Sequence, residues 1–191
     1  MRRAWWFALG AALLAAVVVL VIWLPGPRAA LPVAPSTIGS VASSAPRSVA
    51  GLPDPVRTPG SINPNVTQAN IGTTICKSGW TATIRPPSAY TTALKVVQIE
   101  QYGYVDKKLA DYEEDHLVPL ELGGAPRDPA NLWPQPRTIV LSDGTHVGAD
   151  AKDHLENDLK RAVCSGSTLL ADAQRLIAGD WVAAWLADGR P

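Results

Sequence analysis

The chain lacks a dominant sign of charge: 17 Lys and Arg stand against 17 Asp and Glu, a formal net charge of zero. From Ser61 onward the balance is 12 against 16, which is 12 − 16 = −4. A dedicated nucleic-acid binder shows a basic footprint, and none is present in these totals. Local clusters stand only at Lys107 and Lys108 and at Lys160 and Arg161. Cysteine is scarce as well. Cys76 and Cys164 are the two in the chain, enough for one bridge or for a pair of buried free thiols. No periodic repeat is present, and strands do not alternate with helices in βαβ order, which excludes a parallel α/β sheet and leaves α+β.

What is present begins with an apolar run. Ala4 to Leu24 is 21 consecutive uncharged residues, and at about 1.5 Å per residue such a helix crosses a hydrocarbon core of about 30 Å. Arg2 and Arg3 precede it and Arg28 is the next positive charge, so the positive-inside bias places the N-terminus in the cytoplasm and the remainder outside. The expectation is a single-pass cytoplasmic-membrane protein anchored through residues 4–24, with an extracytoplasmic C-terminal domain. The alternative is a signal segment cleaved near Val33 and Ala34, giving a secreted or periplasmic protein. Pro25 to Val66 holds nine of the 17 prolines among Ser, Ala and Gly, a composition that reads as an extended tether. Residues 67–191 are long enough for one domain with its own core. An exported compartment permits a Cys76–Cys164 disulfide.

Within that domain, Ile71 to Cys76 and Trp80 to Ile84 are rich in β-branched residues and predict a small extended pair. Ser88, after Pro86 and Pro87, predicts a helix to about Tyr102, with Leu94, Val97 and Gln101 on one side. Tyr112 to Leu122 reads as a strand ended by Gly123 and Gly124, with Asn131 to Trp133 returning. Ser142, Asp143 and Gly144 form a turn, and helices follow over Ala151 to Val163 and from Thr168, where Leu169, Ala173, Leu176 and Ile177 face inward. Trp181 and Trp185 sit at helical spacing as core residues.

The chemistry is concentrated in Asp115-His116-Leu117-Val118-Pro119-Leu120. A hard divalent cation takes carboxylate oxygens, and an imidazole near neutrality takes a proton from water. Together they permit metal-assisted hydrolysis. Neighbouring side chains in a regular strand point to opposite faces, however, so the residues alone favour Asp115 in an ion pair and His116 half-buried.

Asp115-His116-Leu117-Val118-Pro119-Leu120, then Gly123-Gly124, then Asn131-Leu132, resembles the central pattern of HNH endonucleases, the ββα-metal nucleases, over roughly residues 112–160. The longer stretch from Asn63 through Trp181 resembles a group of exported bacterial HNH-like proteins. The resemblance implies a ββα-metal hairpin-helix core with flanking helices, one divalent metal ion (Mg²⁺ or Mn²⁺ foremost, Zn²⁺ or Ni²⁺ otherwise), and DNA or RNA as substrate. It implies Asp115 as a metal ligand, His116 as general base and Asn131 as the residue that orients His116. A further ligand is expected on the following helix, where His154 and Asn157 compete and neutral imidazole favours His154. Lys152 and Arg161 are candidate phosphate contacts from the same helix. Glu113 and Glu114 back the site or are surface charges, and His146 is a surface residue. The Cys-x-x-Cys knuckles common in the family are missing, so no structural zinc is expected. Alternatives are an envelope-tethered binding module on the same scaffold, or hydrolysis of a phosphodiester outside nucleic acids.

Overall fold

The computed structural model describes residues 51–187. The apolar run at 4–24 and the tether as far as residue 50 lie outside these residues. Among the described residues no helix is long and apolar enough to cross a membrane. Helices are mixed with two small antiparallel sheets, an α+β arrangement.

The folded chain starts earlier than its composition suggests. Residues 51–66, expected to be the end of the tether, pack along the body of the domain. Thr58 is buried and its hydroxyl donates to the Leu132 carbonyl at 3.2 Å. Gly60 N–H bonds Ala130 O at 2.9 Å, Asn63 N–H bonds Gly123 O at 2.8 Å, and Val66 is in the core. A proline-rich strip needs few partners for its backbone, and the loop carbonyls it lies along provide them.

Gln68–Thr73 is a 3₁₀ turn and Trp80–Ile84 is a short helix, α1, where the sequence predicts an extended pair. Their β-branched residues meet no partner strand, and Cys76 bonded to Cys164, 88 residues later, fixes the segment instead, with Cα atoms 5.6 Å apart. Helix α2, Ser88–Gln101, forms where predicted after Pro86 and Pro87. Its inward residues are Gln98 and Ile99, while Val97 is half exposed. The Lys95 ammonium donates to Leu109 O and Tyr112 O, both at 3.0 Å, and the Gln98 amide donates to Leu132 O at 2.9 Å. These bonds seat the helix across the first sheet.

That sheet pairs β1, Tyr112–His116, with β2, Leu132–Pro136, in antiparallel register, Asp115 opposite Trp133 and His116 opposite Leu132. Pro134 and Pro136 are tolerated because a two-stranded sheet has only edge strands. The predicted strand through Leu122 ends at His116, and Leu120–Leu122 is a 3₁₀ turn that drops Leu120 and Leu122 into the core. A second hairpin, β3 (Ile139–Val140) with β4 (His146–Val147), leads into α3, Ala149–Ser165. Helix α4, Leu170–Ala187, breaks at Asp180, whose carboxylate accepts from Ala183 N–H at 2.9 Å and restarts the helix. Ala173 and Ile177 face inward as predicted, whereas Leu169 and Leu176 are exposed.

The core lies between the first hairpin and the α3–α4 pair. Trp133, Leu117, Val118, Leu122, Leu155, Val163, Ile177 and Trp181 are all buried in it. Truncating a fully buried Trp such as Trp133 typically costs about 3–5 kcal/mol. The core therefore fixes the end of β1 against α3, which sets the geometry described next.

Candidate functional site

Asp115 and His116 line one cleft of about 270 Å³, together with Glu113, Pro119, Leu120 and Glu121 from the first hairpin. Thr81 and Arg85 close it from the α1 side, and Asp153, Glu156 and Asn157 from α3. Both residues lie at the end of β1. His116 is its last residue, after which Leu117 N–H bonds Asn131 O at 2.8 Å and the chain turns away. The ring also lines an adjoining hollow with Glu113, Glu114, Arg85 and Arg137.

His116 is only 6% exposed. Its Nε2 lies 3.0 Å from the Pro126 carbonyl. A carbonyl can only accept, so Nε2 carries the hydrogen and Nδ1 the lone pair. Burial pushes the imidazole pKa below its ordinary value; the Pro126 carbonyl and Asp115 oppose the shift, and Arg85 and Lys152 add to it. The result is a neutral ring with one basic nitrogen in fixed orientation, the state a general base needs.

Asn131 closes the 3₁₀ turn Pro129–Asn131 that precedes β2 and is fully buried. Its side-chain oxygen accepts from Val118 N–H at 2.9 Å, and its amide donates to Val118 O at 2.9 Å and Ala125 O at 3.1 Å. These bonds differ from the expected contact with the imidazole. Asn131 clamps the loop from Val118 to Ala125, and the next residue, Pro126, supplies the carbonyl that holds His116. Gly124 is part of the same clamp: a Cβ there would lie 1.7 Å from Val118 O and 2.7 Å from the Asn131 amide nitrogen.

Lys152 departs most from expectation. It is 0% exposed, and its ammonium donates to His116 O at 2.8 Å and contacts Asp115 Oδ2 at 2.7 Å and Glu156 Oε1. A buried cation with three acceptors is not a phosphate contact. Burial alone would lower its pKa, but the Asp115 and Glu156 carboxylates outweigh this and hold it above the ordinary lysine range. One ammonium balances one carboxylate. Glu156, the more enclosed of the two, is accordingly pushed up to about 8 by burial and the nearby Asp115 charge, against the pull of Lys152. Asp153 is also raised, by burial and then by Asp115 and Glu113. Arg161 does not line the cleft; it pairs with the half-buried Asp158 three residues earlier on α3.

His154 and Asn157 separate. His154 stacks on Trp185 with ring centroids 6.1 Å apart and lines a different hollow with His146 and Asp150. Asn157 lines the Asp115 cleft and donates its amide to Asp153 O at 2.8 Å, leaving its oxygen as an acceptor. Residues three apart adjoin on a helix, but the edge of the cleft falls between these two. Of the expected ligands, Asp115 and Asn157 line the cleft, and both offer oxygens. Among the described residues no three His, Cys, Asp or Glu side chains stand close enough to enclose a metal. Such a set suits a hard cation that keeps several waters and takes one or two protein oxygens.

Three features of the cleft carry little sequence signal. Arg85 lies 30 positions before Asp115, and the Pro126 carbonyl is a backbone group. Glu156, four residues after Lys152, could have been found as an i,i+4 helix pair. No family model, no characterised protein and no solved structure matches this chain.

Proposed function

We propose that this domain is a metal-dependent phosphodiesterase of the ββα-metal nuclease type that cuts DNA or RNA outside the cytoplasmic membrane. The observation that carries the reading is His116, buried, neutral and oriented by the Pro126 carbonyl, on the same cleft as the Asp115 carboxylate and the Asn157 amide. The order of hairpin and helix supports it: in this reading β1, β2 and α3 take the place of the two strands and helix that the resemblance implies, with β3 and β4 inserted before the helix.

In this reading a water oxygen attacks phosphorus while His116 Nδ1 takes the water proton, and the phosphate ester bond to the leaving oxygen breaks. A divalent cation on Asp115 and Asn157, Mg²⁺ or Mn²⁺ by donor type, would supply the Lewis acid against the phosphate and leaving oxygens. Lys152 positions the reacting groups. It fixes one Asp115 oxygen and the His116 carbonyl together, so carboxylate and imidazole are held by one ammonium. Asn131 positions His116 through the loop. The N-terminal apolar run and the Cys76–Cys164 bridge support an oxidising compartment, reached by an anchor or by secretion.

The test is cleavage of plasmid DNA and of RNA by the full chain in detergent, at low salt with Mg²⁺, Mn²⁺, Zn²⁺ or Ni²⁺ and with chelator. Metal-dependent cleavage is expected, with His116→Ala lowering it about 10²–10⁴-fold. A folded wild type that cuts neither polymer with any of these metals would sink the reading. One observation favours a second reading, an envelope-tethered binding module without turnover: Asp115 is already neutralised by an internal ammonium. Hydrolysis of a phosphodiester outside nucleic acids would use the same groups.

A further inference from the structure

The acidic cleft poses a problem for any polyanionic substrate, because Glu113, Asp115, Glu121, Asp153 and Glu156 all line it. Most cations near it are already engaged. Lys152 is enclosed, Lys160 is paired with Glu121 at 3.2 Å, and Arg137 is paired with Glu113 at 3.2 Å. Lys95 spends two of its donors on backbone carbonyls. Arg85 is the exception: exposed, without a carboxylate partner among the described residues, and lining both the cleft and the adjoining hollow, with His116 common to the two.

An arginine beside five carboxylates and paired with none has a cause in the backbone. Arg85 terminates α1 with φ −61° and ψ 131° and is followed by Pro86, which disfavours the helical region for it and so sets the direction in which its side chain starts. The adjoining hollow also carries the Ser88, Thr91 and Thr92 hydroxyls and the Lys95 and Arg137 cations. Glu113 and Glu114 line it too, but beside three hydroxyls and three cations they leave it far richer in hydrogen-bond donors than the cleft. Arg85 stands on the boundary between the two, beside the imidazole.

The geometry points to Arg85 as the residue that grips a substrate phosphate next to the one attacked, so that a polynucleotide chain runs from the hollow at the start of α2 past His116 into the cleft. This rests on the phosphodiesterase reading and deepens it: the substrate is a chain with neighbouring phosphates, held on one side of the reacting bond by an unpaired guanidinium. Arginine suits this because its planar fork donates two parallel bonds to a phosphate.

The experiment measures binding without turnover. The full chain carrying His116→Ala, in detergent, is titrated into a short fluorescent single-stranded DNA at several salt concentrations, and compared with the same chain also carrying Arg85→Ala or Arg85→Lys. Arg85→Ala is expected to weaken binding about tenfold, as the loss of one charge-assisted contact, and to lower the slope of log affinity against log salt by ~0.7. Arg85→Lys is expected to restore the slope but only part of the affinity. A purely structural role for Arg85 would not move the salt slope. Equal affinity and slope in all three proteins, or no binding by any, overturns the inference. Cleavage by the wild type is measured alongside. Cleavage with no dependence of binding on Arg85 removes this inference alone, whereas Arg85-dependent binding without cleavage by wild type removes the nuclease reading and leaves Arg85 as a phosphate contact on a chain that is bound and not cut.

Discussion

The domain contains two antiparallel hairpins built to opposite specifications. The β3–β4 connection runs over Ser142, Asp143 and Gly144, all exposed, and is held by short local bonds, including Asp143 accepting from Thr145 N–H at 2.9 Å. The β1–β2 connection buries most of its first half, from Leu117 to Gly124, and is held by groups beyond its own backbone as well as by its internal turns. Asn131 clamps it from within, residues 60–66 bond along it, and Lys152 reaches from α3 to the carbonyl at its start. A loop needs such support only when the position of something it carries matters. The β1–β2 connection carries the Pro126 carbonyl, and with it the orientation of His116.

Lys152→Met is the largest expected way to break this contrast. It leaves the Asp115 and Glu156 carboxylates facing each other in a nearly closed site without their counter-ion, at a cost of about 3–5 kcal/mol. Chemical denaturation of the full chain measures it. A loss below about 1 kcal/mol, the range of an exposed pair, would mean that the ammonium is not holding the hairpin to α3.

Asn131→Ala comes next. It removes the partners of Val118 N–H, Val118 O and Ala125 O together, and Val118 is buried, so a loss of about 3 kcal/mol is expected from groups left unsatisfied. Because Asn131 acts on His116 only through the loop, the variant should lose cleavage rate even where enough protein remains folded. Unchanged cleavage per folded molecule would show that the Pro126 carbonyl keeps its place without the clamp.

Much of this difference between the hairpins was legible in the sequence, and the unread part has specific causes. Ser142-Asp143-Gly144 announces a turn because its chemistry is local. Asp115, His116 and Asn131 stood out by pattern, and α2 and α3 by periodicity and their flanking Pro and Gly residues. Lys152 stood out only as a candidate phosphate contact: a lysine in a charged helical stretch reads as solvated, and only the arrival of Asp115 opposite it makes burial tolerable. His154 was favoured over Asn157 on ligand chemistry, yet the side of α3 that meets the cleft is set by packing against Trp185, which lies 31 residues further on. The strip at 51–66 reads as a tether by composition, because the carbonyls that receive it belong to a loop distant in sequence.

A smaller effect sharpens the contrast through pH. Glu114 on β1 has both carboxylate oxygens buried without a hydrogen bond, and burial, helped by the Asp115 charge and opposed by Lys95, pushes it up from 4.5 to about 8. The folded chain therefore holds a proton that the unfolded chain gives up. Its contribution is fully present below about pH 4.5 and is lost as pH rises towards about 8, so stability falls across that window. Glu156 has the same sign, and His116, whose pKa is lowered, has the opposite one. Comparing Glu114→Gln with wild type in chelator cancels both. The variant should gain on the wild type between about pH 5 and 9, and parallel stability curves would place Glu114 in contact with water.

The smallest expected effect belongs to the other hairpin. Asp143→Ala deletes the bond to Thr145 N–H, but that donor is at a turn where water can replace the carboxylate, and Leu141 N–H still bonds Thr145 O at 2.8 Å. A change within about 0.5 kcal/mol is expected, with cleavage unaffected. The β3–β4 turn leads directly into α3, which bears Lys152, Glu156 and Asn157, so a large effect would carry a definite meaning. It would show that the register of α3 against β1 is set from its N-terminal end as well as by the buried ammonium, and that the second hairpin is part of the support for the site.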